Sequence, residues 1–477
     1  MGTSSTDALG TEKIGKLLFQ LALPAIAAQV INLLYNLVDR MYIGHIAVEG
    51  KWALTGVGVC LPLIMLISAF AALVGMGAAP RASIFLGQKD LDGAEKTLGN
   101  SAALLFMLSL VLTVIFQLWS KDMLLLFGAS PNTIPYATSY MKIYSLGTLF
   151  VQMTLGLNPF ITAQGFAKMS MKTVLIGAIS NIILDPIFIF AFHMGVAGAA
   201  LATILSQAIS MVWILRFLTG KQTALRIRKE NLRLSGKIIF PCLALGLSPF
   251  IMQSTESLLS ICFNVSLYKY GGDLAVGAMT ILTSMTQFSM LPLMGLTQGA
   301  QPIISYNYGA RNPKRVKQAF SLLLICSVSF STLLWACAML FPQVFVLIFN
   351  SDPELLSFAC RAMRIYMAVS FVMGVQLACQ QTFIALGNAK CSLFLALLRK
   401  IVLLIPLIYI LPAVLPIDPT TAVFLAEPVA DFLAVATTAV LFIVVFRKTM
   451  ARMETGPAED TADGAAPVPG DGKEERI

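Results

Sequence analysis

The chain has 477 residues, 57% of them hydrophobic and 12% charged, with a formal net charge of +9 and a mean hydropathy of +0.81. Soluble domains carry about 25% charged residues, so a soluble fold has nowhere to bury this much apolar surface. The positive charges fall in short stretches between apolar runs, which is the pattern of membrane-protein loops and argues against a nucleic-acid-binding face.

A helix that crosses a bilayer needs about 20 apolar residues. Twelve runs qualify in chain order: 17–43, 52–79, 98–119, 136–161, 170–192, 196–218, 238–268, 274–305, 318–340, 358–385, 392–411 and 421–446. The expected fold is therefore an all-α polytopic membrane protein. The first run is too long for a cleavable signal peptide and has no small-residue cleavage site after it. The eight cysteines are scattered, with no metal or redox spacing.

The runs form two copies. FGASPNTIPYATSYMKIY at 127–144 matches FNSDPELLSFACRAMRIY at 349–366, an offset of 222 positions. The same offset relates GAAPRASIFLG at 77–87 to GAQPIISYNYG at 299–309, and AQGFAK at 163–168 to ALGNAK at 385–390. Six runs fall in each copy. An even number makes both copies enter the membrane from one side, related by an axis along the membrane normal, as in transporters built from parallel repeats. The expected divisions are a first copy at 1–218, a basic linker at 219–237, a second copy at 238–448 and a disordered tail at 449–477, rich in Gly, Pro, Asp and Glu.

Lys and Arg set the expected orientation. The linker carries Lys221, Arg226, Arg228, Lys229, Arg233 and Lys237, and the stretch 306–317 carries Arg311, Lys314, Arg315 and Lys317. On the opposite side, 193–197 has no Lys or Arg. Both termini and the linker are thus expected in the cytoplasm of a bacterial or archaeal cell, with the chain in its plasma membrane. Lys142 and Arg364, a repeat-related pair, break the rule and are read as snorkelling to the interface.

Ionisable residues inside spans carry the functional signal, because an Asp at mid-membrane costs on the order of 2.5–3.5 kcal/mol. Asp39, Asp185 and Thr203 come from three spans and all fall roughly 9–12 Å below the outer face at 1.5 Å per residue. Gln29, Asn32, Asn36 and Asp39 make a polar stripe on span 1, and Asn181 and Asp185 are four apart on span 5. Pro186 leaves the carbonyl of Ile182 without its helical donor. Two carboxylates brought together repel each other, and either a proton or a Na⁺ ion relieves that repulsion. Hydrogen bonding between helices is the plainer reading of Asn36 or Thr203 taken singly.

The second copy has a different polar set. Span 7 carries Gln253, Glu256, Ser260 and Asn264 on one stripe, and span 12 carries Glu427 and Asp431. Acids facing a cavity attract cationic amphiphiles, with structural pairing as the alternative. Gly77–Pro80 and its copy Gly299–Pro302 allow either close helix approach or bending. No phosphate-binding loop occurs, and no soluble domain large enough for ATP, so active transport is expected to run on an ion gradient, with no cofactor. No nucleophile–base pair or ligand cluster marks an enzyme.

YNLVDRMYIG in span 1, NIILDPIF in span 5, ITAQGFAK after span 4 and GAQPIISYNYGARNP after span 8 resemble the multidrug and toxic compound extrusion (MATE) family. AEPVADF in span 12 resembles its MepA-like branch. The resemblance covers about 13–448. It implies two six-helix lobes in a V, rocking to export drugs by H⁺ or Na⁺ antiport. DinF-type members use an Asp in span 1, an Asn and an Asp in span 5 and a Thr in span 6, which match Asp39, Asn181, Asp185 and Thr203; a span 4 Tyr corresponds to Tyr140. Glu256 matches the span 7 Glu of NorM-type members, but their span 10 Asp is replaced, with Gln376 nearest. Ion coupling is therefore expected in the first lobe. Asn36, Tyr140, Gln253, Glu256, Glu427 and Asp431 are expected along the substrate cavity.

The leading expectation is an ion-coupled exporter of cationic amphipathic compounds, working in the lipid membrane as a monomer. The alternative is a lipid-linked precursor flippase of the same superfamily, against which the buried acids argue.

Overall fold

The computed structural model describes residues 5–46, 50–349 and 352–455. The bulk of the expected tail, 456–477, lies outside the described residues. Residues 449–455, assigned above to that tail, instead continue the last helix, because Met450 is buried on the body of the protein.

Sixteen α-helices are described, in the order α1 Ser5–Thr11, α2 Ile14–Gly44, α3 Gly50–Gly87, α4 Leu91–Leu126, α5 Ile134–Leu146, α6 Thr148–Ala163, α7 Ala167–Pro186 and α8 Gly195–Thr219. The second half continues with α9 Gly236–Gly309, α10 Pro313–Leu340, α11 Pro342–Leu347, α12 Pro353–Tyr366, α13 Met373–Ala385, α14 Ala389–Leu397, α15 Ile405–Val414 and α16 Pro419–Thr455. Nine helical segments among the described residues are long and apolar enough to cross a membrane. Two bent pairs, α5 with α6 at 59° and α12 with α13 at 48°, raise that number to eleven. The bends occupy corresponding places in the two copies.

Two helices open on side-chain caps at repeat-related positions. Asp90 accepts from Gly93 N at 2.9 Å at the head of α4, and Asn312 accepts from Arg315 N at 3.2 Å at the head of α10. These caps are 222 residues apart, so the repeat extends to the device that opens each helix. The 74-residue α9 is interrupted at Gly272, whose φ of 60° and ψ of −156° are open only to glycine.

The two halves meet at glycines. A Cβ on Gly87 would strike the carbonyl oxygen of Tyr306, and a Cβ on Gly309 would strike that of Ile84. Both residue pairs are offset by 222, so one contact is the other turned about a pseudo-twofold axis. Gly77 lies against Cys242 and Gly246 of α9, and Gly299 lies against Ala22 of α2. Both GxxP motifs are thus places of close backbone approach between halves, and α3 and α9 run on helically through Pro80 and Pro302. Where both phases are apolar, association rests on this kind of contact more than on the hydrophobic effect. Away from the contact, large side chains such as Phe19, Leu118, Leu333 and Val444 are exposed, as lipid-facing positions require.

The basic end is further tied. Gln164 Oε1 accepts from Thr223 Oγ1, Ala224 N and Leu225 N at 2.8–2.9 Å. Arg228 pairs with Glu95 at 2.6 Å, and Ser235 N donates to Asn100 Oδ1 at 2.7 Å. The linker therefore lies fixed on the first half. Helix α1 bridges both halves: Thr6 donates to the carbonyl of Gln164, while Asn307 and Arg315 donate to that of Leu9.

Gly87→Ala and Gly309→Ala each force backbones apart at the pseudo-twofold contact. Overpacking of this kind costs about 1–3 kcal/mol. Both variants are expected to unfold at lower temperature in detergent than Gly58→Ala, on the helical α3, whose added methyl meets nothing within 4 Å.

Candidate functional site: two unlike charged clusters, one in each half

The first cluster lies between α2, α5, α7 and α8. Asn181 and Asp185 share one face of α7 and are almost completely buried. Asn181 Nδ2 donates to Asp185 Oδ1 at 3.2 Å. The carboxyl of Asp39, on α2, lies within hydrogen-bonding range of that of Asp185. Tyr140, on α5, reaches both the Thr203 hydroxyl and the neighbourhood of Asp39. Thr203 donates its own proton to the carbonyl of Ala199 at 3.0 Å, which leaves its lone pairs toward Tyr140. Straight after Asp185, Pro186 ends the regular α7, and the backbone widens to a π-helical turn over Ile187–Ala191. Such turns are frequent at functional sites.

The donor set suits a proton or a small cation. Asp39 Oδ1, Asp185 Oδ2 and Asn181 Oδ1 are buried and accept no hydrogen bond from the chain. Buried oxygens in that condition are costly unless something positive or hydrogen-donating joins them. Among the described residues no Lys, Arg or His forms an ion pair with either carboxylate. Asn36 does not join this group: it is exposed and donates to the carbonyl of Asn32 at 2.7 Å. Helical periodicity assigns a face, and it does not show that this amide is used on its own helix.

The second cluster answers its acids from within. Arg399 Nε donates to Asp431 Oδ1 at 2.6 Å, and its Nη2 to Glu427 Oε1 at 3.2 Å. Lys400 Nζ pairs with the Glu256 carboxylate and donates to the carbonyl of Met252 at 3.2 Å. Lys400 is buried, whereas Glu256 keeps 57% of its side chain exposed. Three acids thus face two bases, and the open anionic wall expected of the second copy is largely neutralised. Sequence reasoning missed Arg399 and Lys400. Their signal was two adjacent bases inside the otherwise apolar run 392–411, where an unpaired charge is not tolerated. They lie in a π-helical segment, Leu398–Leu404, of the span that corresponds to α7. A small cavity of about 40 Å³ touches Arg399, Glu427 and Asp431 beneath Tyr366 and Trp335. Gln376 is buried in a neutral network with Gln380 and Thr438.

Gln253 goes to a third place, a cavity between the halves that it shares with Gln29 and Asn32. The polar stripe of α2 therefore serves two sites, with its Gln29–Asn32 portion on the central cavity and Asp39 in the first cluster.

The family model MatE matches residues 24–187 and 249–410, one match in each half. The chain belongs to the MatE family. It is 25% identical over 422 residues to the multidrug export protein MepA of Staphylococcus haemolyticus, covering 88% of this chain and 92% of that protein. It is 25% identical over 402 residues to MepA of Staphylococcus aureus, covering 83% and 87%. Among solved structures, the MATE multidrug transporter DinF-BH, solved as a complex, superposes with a TM-score of 0.85 at 33% identity, over 93% of this chain and 98% of that one. A MATE family transporter of the MOP superfamily, solved in an outward-facing conformation, gives a TM-score of 0.87 at 22% identity, over 94% and 99%. This MatE chain is accordingly a multi-pass membrane protein of a transporter family.

Arg399→Gln leaves Glu427 and Asp431 buried without their cation. Removing one partner of a buried pair costs about 3–5 kcal/mol. The expected result is a large drop in the thermal midpoint in detergent, much of it restored when Glu427→Gln and Asp431→Asn are added. A drop that the triple variant leaves uncorrected assigns the loss to packing.

Proposed function

We propose that this MatE protein is a secondary multidrug exporter that carries cationic amphipathic compounds outward by alternating access, driven by H⁺ or Na⁺ taken up at Asp39, Asn181, Asp185 and Thr203. The observation that carries the reading is the trio of buried oxygens on Asp39, Asp185 and Asn181 that accept nothing from the chain. A proton or Na⁺ shared by the two carboxylates removes their repulsion, and so favours whichever arrangement of halves holds them together. A cationic drug competes for the same charge. Coupling follows if ion and drug prefer different arrangements. The second cluster already holds tethered cations, which is why the coupling ion is assigned to the first.

Outward transport of more than one drug is supported by the relatives, two of them named multidrug export proteins and one solved structure titled a multidrug transporter. A twelve-crossing arrangement accords with the length of α9: 74 residues at 1.5 Å each reach about 110 Å, more than three times the hydrocarbon core. Division at Gly272 makes two crossings of it. The Lys- and Arg-rich end, with both termini, is assigned to the cytoplasm.

Ethidium efflux from proteoliposomes under an imposed pH gradient or an imposed Na⁺ gradient tests this. Efflux under one gradient alone names the coupling ion. Asp39→Asn is expected to slow gradient-driven efflux at least about tenfold, the factor of 1.4 kcal/mol in differential binding. Wild-type export by Asp39→Asn sinks the mechanism. No ethidium movement by folded wild-type protein under either gradient turns the reading toward a lipid-linked precursor flippase.

A further inference from the structure

The repeat tells which half the short helix α1 belongs to. Helix α2 begins at Ile14 and α9 at Gly236, 222 residues apart. Helix α1, Ser5–Thr11, therefore corresponds to 227–233 of the linker. That stretch of linker lies on the first half, with Arg228 paired to Glu95 and Asn231 set against Gly99 of α4. By the same rule α1 lies on the second half. Arg315, at the head of α10, donates from Nη2 to the carbonyls of Leu9 at 3.1 Å and Glu12 at 2.8 Å. Asn307 Nδ2 donates to the Leu9 carbonyl at 2.9 Å, and Arg315 Nε donates to Asn307 Oδ1 at 2.9 Å. The Leu9 side chain has no exposed surface and shares an apolar cluster with Ile303, Val316 and Leu386.

The other end of α1 crosses over. Ser5 Oγ donates to the carbonyl of Gly165 at 3.0 Å, and Thr6 Oγ1 to that of Gln164 at 3.1 Å, both in the first half. Gly165 has a φ of +88°, and a Cβ there would come within 2.8 Å of the Ser5 carbonyl oxygen. Glycine thus serves both the turn after α6 and the close approach of α1. The linker's ties to Gln164, Glu95 and Asn100 stay within one half, so the crossing of α1 joins what those ties leave separate.

The two ends of α1 are held unequally. At the Leu9 end a charged donor, a buried amide and a buried apolar side chain act together, and hydrogen bonds from charged donors are the stronger ones. At the Ser5 end there are two hydroxyl-to-carbonyl bonds. A seven-residue helix is about 10 Å long and does not stretch. Gln164–Gly165 and Asn307–Arg315 therefore cannot part while both ends are fastened. We propose that α1 is a strap that holds the basic rim shut, anchored on the second half and fastened to the first by Ser5 and Thr6, and that the rim opens only when the Ser5–Thr6 end lets go. This rests on the alternating-access reading, in which the basic rim, assigned to the cytoplasm, has to open to admit drug. Opening is measured without gradient or drug, so failure of the export reading and failure of the strap are separable.

The test is the rate at which N-ethylmaleimide modifies Ser83→Cys in the full chain in nanodiscs, read by mass spectrometry on the peptide that holds position 83. Ser83 has no exposed surface, and its hydroxyl donates to the carbonyl of Pro302 across the halves at 3.3 Å. A thiol there is reached when the halves part at the rim. Ser305→Cys, the repeat copy and equally buried, is the reporter to use if the first does not fold. Ser5→Ala combined with Thr6→Val is expected to raise the rate about fivefold or more, the shift in equilibrium that two lost hydrogen bonds give. Arg315→Gln is expected to raise it as well, because it frees the opposite end. Thr223→Val cuts a linker tie inside the first half and is expected to leave the rate within about twofold. An unchanged rate in the Ser5/Thr6 variant overturns the proposal. So does an equal rise with Thr223→Val, which makes the effect a general loosening. A raised rate in the Ser5/Thr6 variant, from a protein that moves no ethidium under either gradient, supports the strap and sinks the export reading.

Discussion

In a hydrocarbon slab there is no water to satisfy a polar atom, and the arrangement of this MatE protein follows from that constraint. Backbone groups are satisfied by making nearly everything helical. The two clusters admit side-chain charges in different ways. In the second half the acids Glu256, Glu427 and Asp431 meet Arg399 and Lys400. In the first half Asp39 and Asp185 meet each other and an amide. The cavity shared by Gln29, Asn32 and Gln253 shows a further solution, in which polar atoms are kept neutral and share a space.

The two copies share a skeleton and differ in how they handle charge. Gly87 against Tyr306 and Gly309 against Ile84 are one contact repeated, and Asp90 and Asn312 are one cap repeated. Both spans that carry the central charges, α7 and its counterpart, widen into π-helical turns. On this common frame, one cluster carries its cations covalently and the other leaves oxygens without donors. The asymmetry is thus one of chemistry laid on a shared frame.

Much of this was legible in the sequence, and for specific reasons. The depth of Asp39, Asp185 and Thr203 could be computed because a helix rises by a fixed step, and all three converge with Tyr140. The repeat was legible because its offset is constant. Arg399 and Lys400 escaped because a charge inside an apolar run has no partner visible along the chain; its acids are 28 and 32 residues later on α16, and 144 residues earlier on α9. Asn36 escaped because periodicity assigns a face and not a hydrogen bond. The central cavity was legible only in part: Gln253 was named, but Asn158 and Gln301 come from α6 and α9, whose meeting is a tertiary fact.

The clamped linker has a mechanical corollary. Gln164, Glu95 and Asn100 hold the chain from Thr223 to Ser235 against the first half, so this stretch travels with it as cargo. The next residue, Gly236, is the first of α9. Any swing of one half against the other therefore finds its covalent pivot within a residue or two of Ser235, and the linker contributes almost no slack. A long loop would let the halves drift apart and return at random. This connection is short and taut, and it lies at the same basic rim where α1 also ties the two halves together.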